Sequence, residues 1–412
     1  MTVDPENPVL DPDAPPRFDR ITPEHVVPAM RSLLAELGGE LDRLETSAAP
    51  AWDAVVEPIT RMTDRLALAW GTVGHLMGVR NSDALRKAHE TVQPDVVALS
   101  IRLGQSKPIY RALKGLQAGE AWAALDGTQR RIVTSLVRDA ELSGVGLEGA
   151  AQERFTAIQT ELAEVSTRFS NNVLDATKAW ALELRSPEEI DGLPRSLLEL
   201  AAQAARQAGD ESATVDAGPW RITLDAPSYV PFMQHSRRRD LRERLYRAFV
   251  TRASSGQHDN TPLLDRILRL RREQASLLGF ASYAEMSLHT KMAPDVAAVE
   301  RLLGELREAS WDAAVRDLDD LRALAHESGA PEAEDFKNWD AAFWAERLRE
   351  RRYAYSDEAL RPYFPLPRVL DGLFALAERL FGVRVRAADG EAPVWHPDVR
   401  FFRVEGASGA PV

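Results

Sequence analysis

Apolar residues along this chain recur mostly at helical spacing. Phe155, Ile158, Leu162, Val165 and Phe169 follow one another at alternating steps of three and four, while Gln159, Glu161, Glu164 and Arg168 fall off that stripe. An α-helix turns once every 3.6 residues, so this segment predicts an amphipathic helix packed on others. The same spacing links Leu241, Leu245 and Phe249. It also runs from Thr261 to Phe280, where Thr261 is placed to cap, Pro262 to start and Gly279 to stop a helix that turns Leu264, Ile267 and Leu278 inward. Ser282 and Glu285 stand at capping-box spacing, so another helix begins at once. Near the start, Thr22 is placed as N-cap and Pro23 in the first turn of a helix that Pro28 bends one turn later. Towards the end, Pro367 and Gly382 bracket a helix whose apolar face runs from Val369 to Phe381.

Period-two alternation is rare. It appears at Trp220 to Asp225, at Val383 to Arg386 and at Val399 to Val404; the stretch from Gly406 to Gly409 then reads as a hairpin turn that calls for a partner strand. Two soft boundaries, Leu142 to Ala150 and Arg206 to Trp220, are rich in small and polar residues and read as surface loops. No fixed-period repeat is visible, which argues against a solenoid. The pattern predicts a mainly α protein with a few short strands, most of them near the C-terminus.

Composition narrows the function classes. The 412 residues are 44% apolar and 28% charged, ordinary for a folded protein. Lys and Arg number 51 against 63 Asp and Glu, and a net charge of -12 repels nucleic acid and anionic lipid. The basic stretches His235 to Arg247 and Arg266 to Gln274 are interrupted by Asp240, Glu243 and Glu273 and read as a solvated helix face with local ion pairs, not a phosphate-binding stripe. There is no cysteine. That removes disulfides, thiolate metal sites and cysteine nucleophiles, and fits a reducing, cytoplasmic compartment. The acidic, Pro-rich lead from Met1 to Arg20 has no apolar core of a signal peptide, and no apolar run reaches membrane-spanning length.

Motifs for chemistry are thin. No G-x-S-x-G elbow, G-x-x-x-x-G-K loop or G-x-G-x-x-G turn occurs. Two segments open like a helical zinc site, at His89 to Gln93 and His326 to Ala330. Zinc ligation on one helix needs a second His four residues on, and those positions hold Gln93 and Ala330. Pro94 and Gly329 place each of these His near a helix end, as packing or capping residues. The eight histidines never pair at ligand spacing; His258 with Asp259 and His396 with Asp398 remain candidates only for a site assembled from distant segments. The segment Arg361 to Leu370 reads as a rigid connector in which Tyr363 and Phe364 plug the core.

Longer blocks carry a resemblance. "PRFDRITPEHVVPAM", "SGVGL" with "RFTAIQTELAEVSTRFSNNVLDATKAW", "LGFASYAEMSLHTKMA", "LRPYFPLPRVLDGLFALAERLFGV" and "VWHPDVRFF" together resemble the oligopeptidase A branch of the thimet oligopeptidase family, in order from about Phe18 to Phe402. These are zinc metallopeptidases. The resemblance implies a helical, zincin-like oligopeptidase with a deep channel that admits short peptides. Its zinc would be held by the two His of an H-E-x-x-H helix and a Glu on a following helix, the motif Glu acting as general base toward the zinc-bound water. It further implies residues 1–150 as an N-terminal helical domain and 151–412 as the helical start of the peptidase domain.

In the family the zinc and catalytic residues lie beyond the "HPDVRFF" strand, so no residue of this sequence inherits a catalytic, cofactor-binding or metal role. The expectation is therefore a chain that ends before its zinc-binding half and is inactive alone. A non-catalytic helical module that binds peptides or a partner, and one chain of a split peptidase, are the alternatives. The terminal strand is expected to expose an unpaired edge, and the helix from Val369 to Phe381 an uncovered apolar face, with low solubility or self-association as the result.

Overall fold

The computed structural model describes residues 7–10 and 15–412, so the expectation for the Pro-rich lead falls partly outside them. In chain order the helices are α1 (Pro23–Ser47), α2 (Glu57–Val79), α3 (Asp83–Gly104), α4 (Lys107–Ala118), α5 (Ala121–Ala124), α6 (Gly127–Leu142), α7 (Gly149–Ala179), α8 (Arg195–Gln207), α9 (Ala226–His235), α10 (Arg239–Val250), α11 (Thr261–Leu277), α12 (Tyr283–Leu288), α13 (Val296–Glu327), α14 (Asn338–Tyr353), α15 (Asp357–Leu360) and α16 (Leu366–Phe381). The strands are β1 (Ala181–Leu184), β2 (Trp220–Thr223), β3 (Arg384–Ala387) and β4 (Phe402–Glu405). The mainly α expectation holds. Two compact units divide the chain: Met1–Val165 with Ile267–Met286 and Gly372–Val412, and Ser166–Arg266 with Ser287–Asp371.

In the first unit, α1 buries Val26, Met30, Leu33, Leu37, Leu41 and Leu44, a stripe of threes and fours that forms the centre of the core with α2, α3 and α4. Thr22 precedes the helix as expected, and its backbone N–H donates to Nδ1 of His25 at 3.1 Å. The helix continues through Pro28. So does α3 through Pro94, which corrects the placement of His89 near a helix end: it lies well inside α3, stacked on Trp70 with ring centroids 4.4 Å apart. Proline forfeits one helical hydrogen bond. The buried residues Leu85, Ala88, Val92 and Val96 on both sides hold α3 together across that gap.

The C-terminal segment of this unit joins two of the quoted blocks. Trp395 lies edge-on to Phe18 at 5.2 Å and to His75 at 4.3 Å. Strand β3 pairs antiparallel with β4, Val385 opposite Val404, and Phe374 of α16 packs on Phe402 at 4.8 Å. The turn after β4 forms, and the chain reverses far enough for the Val412 N–H to donate to the Val404 carbonyl at 3.1 Å. The bare edge expected along β4 is thus partly capped by the residues that follow it. The open apolar face of α16 is present: no residue of the helix is buried, and Leu373 and Leu376 are 55% and 52% exposed.

In the second unit, β1 and β2 form an antiparallel ribbon with Leu182 opposite Ile222 and Leu184 opposite Trp220. Ala201 and Ala202 of α8, Phe232 of α9, and Leu241 and Leu245 of α10 pack with it in one buried cluster. Strand β1 was not expected, because Ala-Leu-Glu-Leu is good helix-forming sequence directly after a helix. Long-range burial of Leu182 and Leu184 decides it. Trp220 donates its indole N–H to the Val215 carbonyl at 2.9 Å. Gly218, at φ +68°, lies against that ring, where an added Cβ would come within 2.7 Å.

Three further expectations are corrected. Helix α11 includes Thr261 as its first residue, so Thr261 is not the cap, and Leu264 is 48% exposed, the buried positions being Ile267, Leu270, Gln274 and Ala275. Gly279 does stop that helix, at φ +82°, with the Phe280 N–H returning to the Ala275 carbonyl at 2.9 Å. Tyr363 and Phe364 do not plug the core; they are 69% and 66% exposed. Finally, the basic stretch is only in part a solvated face. Arg238 pairs with Asp240 and Arg247 with Glu243 at the surface, but Arg242 is wholly buried and Arg239 reaches Asp340.

Helix α13 spans 32 residues, and only Leu321, Leu324 and Ala325 near its end are buried, against Phe343 and Trp344 of α14. Leu302, Leu303, Leu306 and Trp311 earlier in the helix are exposed.

Candidate functional site

Among the described residues, one group has three metal-type donors within reach of a single ion: His235, Glu346 and Glu350, whose donor atoms lie within 4.8 Å of one another. His235 is the last residue of α9. Glu346 and Glu350 stand one turn apart on α14, and a separation of four residues puts both carboxylates on one face. Glu346 is buried; His235 and Glu350 are half-buried.

Arginines on the same helix occupy this donor set. Arg347 donates through Nε to Glu350 Oε2 at 2.8 Å and through Nη2 to Glu350 Oε1 at 3.2 Å. Its Nη2 also lies 3.2 Å from His235 Nδ1. A guanidinium cannot accept, so His235 Nδ1 is the acceptor and the ring proton sits on Nε2. Arg349 donates to Glu346 Oε1 at 2.6 Å and pairs with Asp357 at 3.1 Å. Burial, reinforced by the Arg347 charge, lowers the His235 pKa below its usual value, so the imidazole is neutral at neutral pH. The two carboxylates hold the Arg349 guanidinium fully protonated.

This arrangement does not fit a resident zinc ion. The only lone pair of His235 is taken by Arg347, and both oxygens of Glu350 already accept from the same guanidinium. A dication about 5 Å from a guanidinium meets roughly 6–7 kcal/mol of repulsion at an effective dielectric near 20, and two guanidinium groups flank the site. What the geometry does is fasten the end of α9 to α14 by one charge-assisted hydrogen bond, from Arg347 to His235, with Arg347 itself held by Glu350.

A second polar cluster lies deeper in the same unit. Arg242 donates to the Ser236 carbonyl at 2.8 Å, to the Trp339 carbonyl at 3.2 Å, to Asp340 Oδ1 at 3.0 Å and to Glu332 at 3.4 Å. Its guanidinium carbon stands 4.3 Å from the Phe343 ring centroid. Asp340 also accepts from Arg239 at 2.9 Å and from the Lys337 backbone N–H at 3.0 Å. Burial alone would raise the Asp340 pKa, but Arg239, the Lys337 amide and Arg242 together hold it below the ordinary value.

The histidines singled out from sequence are not brought to this group. His89 is packed on Trp70, and burial lowers its pKa. His326 lies in the last turn of α13 and is exposed. His258 contacts Gln257, and His396 Nδ1 accepts from the Asp398 N–H at 3.2 Å. The His235 group escaped the sequence because its members are 111 and 115 residues apart; the one local signal was the four-residue spacing of Glu346 and Glu350.

The protein is mainly helical, with the first and last quoted blocks meeting through Phe18 and Trp395, and comparison with known proteins says what it is similar to. The family model for the Neurolysin/Thimet oligopeptidase N-terminal domain matches residues 30–152, and that of Peptidase family M3 matches residues 232–411. Over 407 residues, 98% of this chain and 51% of the relative, it is 50% identical to the "Organellar oligopeptidase A, chloroplastic/mitochondrial" of Arabidopsis thaliana. It is 50% identical to the "Probable cytosolic oligopeptidase A" of the same plant over 98% of this chain and 58% of the relative. Oligopeptidase A of Escherichia coli is 38% identical over 97% of the chain and 58% of the relative. The chain belongs to peptidase family M3, in its oligopeptidase A branch. It spans between half and three-fifths of the length of these curated relatives. Among the described residues no helix is long and apolar enough to cross a membrane.

Proposed function

We propose that this chain forms the helical, channel-building part of a zinc-dependent oligopeptidase that hydrolyses short peptides in the cytoplasm, and that its 412 residues alone neither hold the catalytic zinc nor turn peptides over. The observation that carries this is a pairing. The sequence is 50% identical to an oligopeptidase A along 98% of its length, yet no H-E-x-x-H occurs anywhere in it. The donor set at His235 supports the same reading, because arginines occupy it. The open apolar faces of α13 and α16 support it too, being surfaces that further polypeptide would cover.

In this reading residues 1–150 are the N-terminal helical domain and 151–412 begin the peptidase domain, a division supported by where the two family models fall. The group that bears zinc, and with it the activated water, belongs to polypeptide outside these residues. It is either a continuation of the same gene or a separate chain.

The test measures zinc and turnover together on the purified 412-residue chain, after removing metal and restoring zinc. Trace zinc and no cleavage of a quenched fluorescent peptide are expected. One tightly held zinc per chain with chelator-sensitive cleavage would overturn the proposal. Reading the DNA downstream for an H-E-x-x-H separates a continued gene from a split one, and a second chain that co-purifies with stoichiometric zinc identifies the split form.

A further inference from the structure

The first unit contains a hollow of about 390 Å³ between α1, α2, α3, α4 and α6, unconnected with the chemistry discussed above. Its floor is apolar and buried: Leu37 of α1, Ile59 and Met62 of α2, Val96 of α3, and Ile109 and Leu113 of α4. Leu66, Trp70, Leu99 and Leu136 form half-buried walls. The rim is exposed at Thr63, Ala67, Ser100 and Asp139.

The polar groups of the lining tell what it would accept. Thr63 donates its hydroxyl to the Ile59 carbonyl at 2.9 Å, Ser100 to the Val96 carbonyl at 2.9 Å, and Ser143 to the Asp139 carbonyl at 2.8 Å. Each hydroxyl proton is therefore spent on its own helix, and the lining presents acceptors but no side-chain hydroxyl donor. Asp139 is the single charged residue of the lining, and it is held by the neighbouring Arg138 at 3.1 Å. No basic side chain lines the hollow. An anionic head group would meet a carboxylate and no cation, and a ligand rich in acceptors would lose its water with no hydroxyl proton to replace it. Apolar cavities of about 150 Å³ hold a benzene ring, and ligand pockets begin near 300 Å³, so the space suits about two fused rings or a hydrocarbon chain of similar bulk.

We propose that this hollow is a binding site for an uncharged, largely hydrocarbon small molecule. Occupancy fills packing that the bare helices leave unmade, so the ligand ties α1, α2, α3, α4 and α6 together and stabilises the first unit.

The test is a fluorescence titration of the whole chain with N-phenyl-1-naphthylamine, a neutral two-ring probe. Because α13 and α16 expose apolar faces, the titration is repeated in the surface variants Leu303→Lys/Leu306→Lys and Leu373→Lys/Leu376→Lys. The expected result is saturable binding of one probe per chain that survives both surface variants, with a raised Tm. Ala67→Phe and, separately, Ser100→Phe plug the rim and are expected to weaken binding at least tenfold while helicity by circular dichroism is retained. Decanol is expected to displace the probe at least tenfold better than decanoate. The proposal is overturned if binding is absent or follows the surface variants, if both plugged variants fold and bind normally, or if decanoate competes as well as decanol. Concentration-dependent self-association that both plugged variants abolish would equally overturn it, since the occupant would then be another copy of the chain.

Discussion

Replacing Asp340 by Ala removes the centre of the buried ion cluster in the second unit. Both Asp340 and Arg242 are fully inaccessible to solvent. With Asp340 gone, Arg242 keeps two carbonyl acceptors and a long 3.4 Å contact to Glu332, and Arg239 loses its charged partner at 2.9 Å. Removing one member of a buried pair strands the other charge in a poorly polarisable interior, which costs about 3–5 kcal/mol. That is a large part of the roughly 5–15 kcal/mol that holds a typical domain folded. The internal control is Asp240→Ala, which breaks an exposed pair with Arg238, the residue just before α10, and is expected to cost no more than about 1 kcal/mol. The assay is urea unfolding followed by circular dichroism and by tryptophan emission, since Trp339 and Trp344 sit beside the cluster. If the two variants unfold within about 1 kcal/mol of each other, Asp340 does not organise the packing of α10 on α14 and the argument fails.

Three further outcomes are expected. Asp340 has a lowered folded-state pKa, so its contribution is present above the unfolded value near 4 and is lost as pH falls through the folded one; the urea midpoint of the native chain should therefore drop on acidification by more than that of Asp340→Asn, and equal drops would refute the assignment. Gly218→Ala should destabilise the chain by about 2–4 kcal/mol in the same urea assay, because φ is +68° and the Trp220 ring stands 2.7 Å from the added Cβ; a neutral effect would mean the loop re-forms freely. Leu373→Lys with Leu376→Lys should convert a self-associating chain to monomer by sedimentation velocity with stability changed by less than about 0.5 kcal/mol, and a native chain that is already monomeric at high concentration would count against the open-face reading.

The helices were legible where a local rule and the tertiary contacts agree. Thr22 with Pro23, Ser282 with the Glu285 amide, and Gly279 at its positive φ all act as the sequence implied. The misses share a cause. Strand β1 has helix-favouring composition and is made a strand by β2, its partner 36 to 42 residues on. Leu264 keeps helical spacing with its neighbours, but which side of α11 meets the core depends on what packs there, and that fell to Leu270 and Ala275. Pro94 is an end signal by local rules, whereas four buried residues around it outweigh the loss of one hydrogen bond.

The candidate site shows a sharper version of the same limit. Charge patterning along α10 gave its exposed pairs correctly, since Arg238 with Asp240 and Arg247 with Glu243 are neighbours in sequence. It could not give Arg242, which shares a face with Leu241 and Leu245 and finds Asp340 almost a hundred residues later. The same holds for His235, whose neighbours Glu346 and Glu350 look like metal ligands until their hydrogen bonds are followed. Distance alone nominates that trio; the direction of each proton rejects it, because Arg347 can only donate and so uses up the imidazole lone pair that a metal would need. A His beside carboxylates therefore becomes a metal site only where the groups around the imidazole accept its N–H and leave its other nitrogen free, as carboxylates and carbonyls do. Here they donate, and the same side chains serve to clamp α9 against α14.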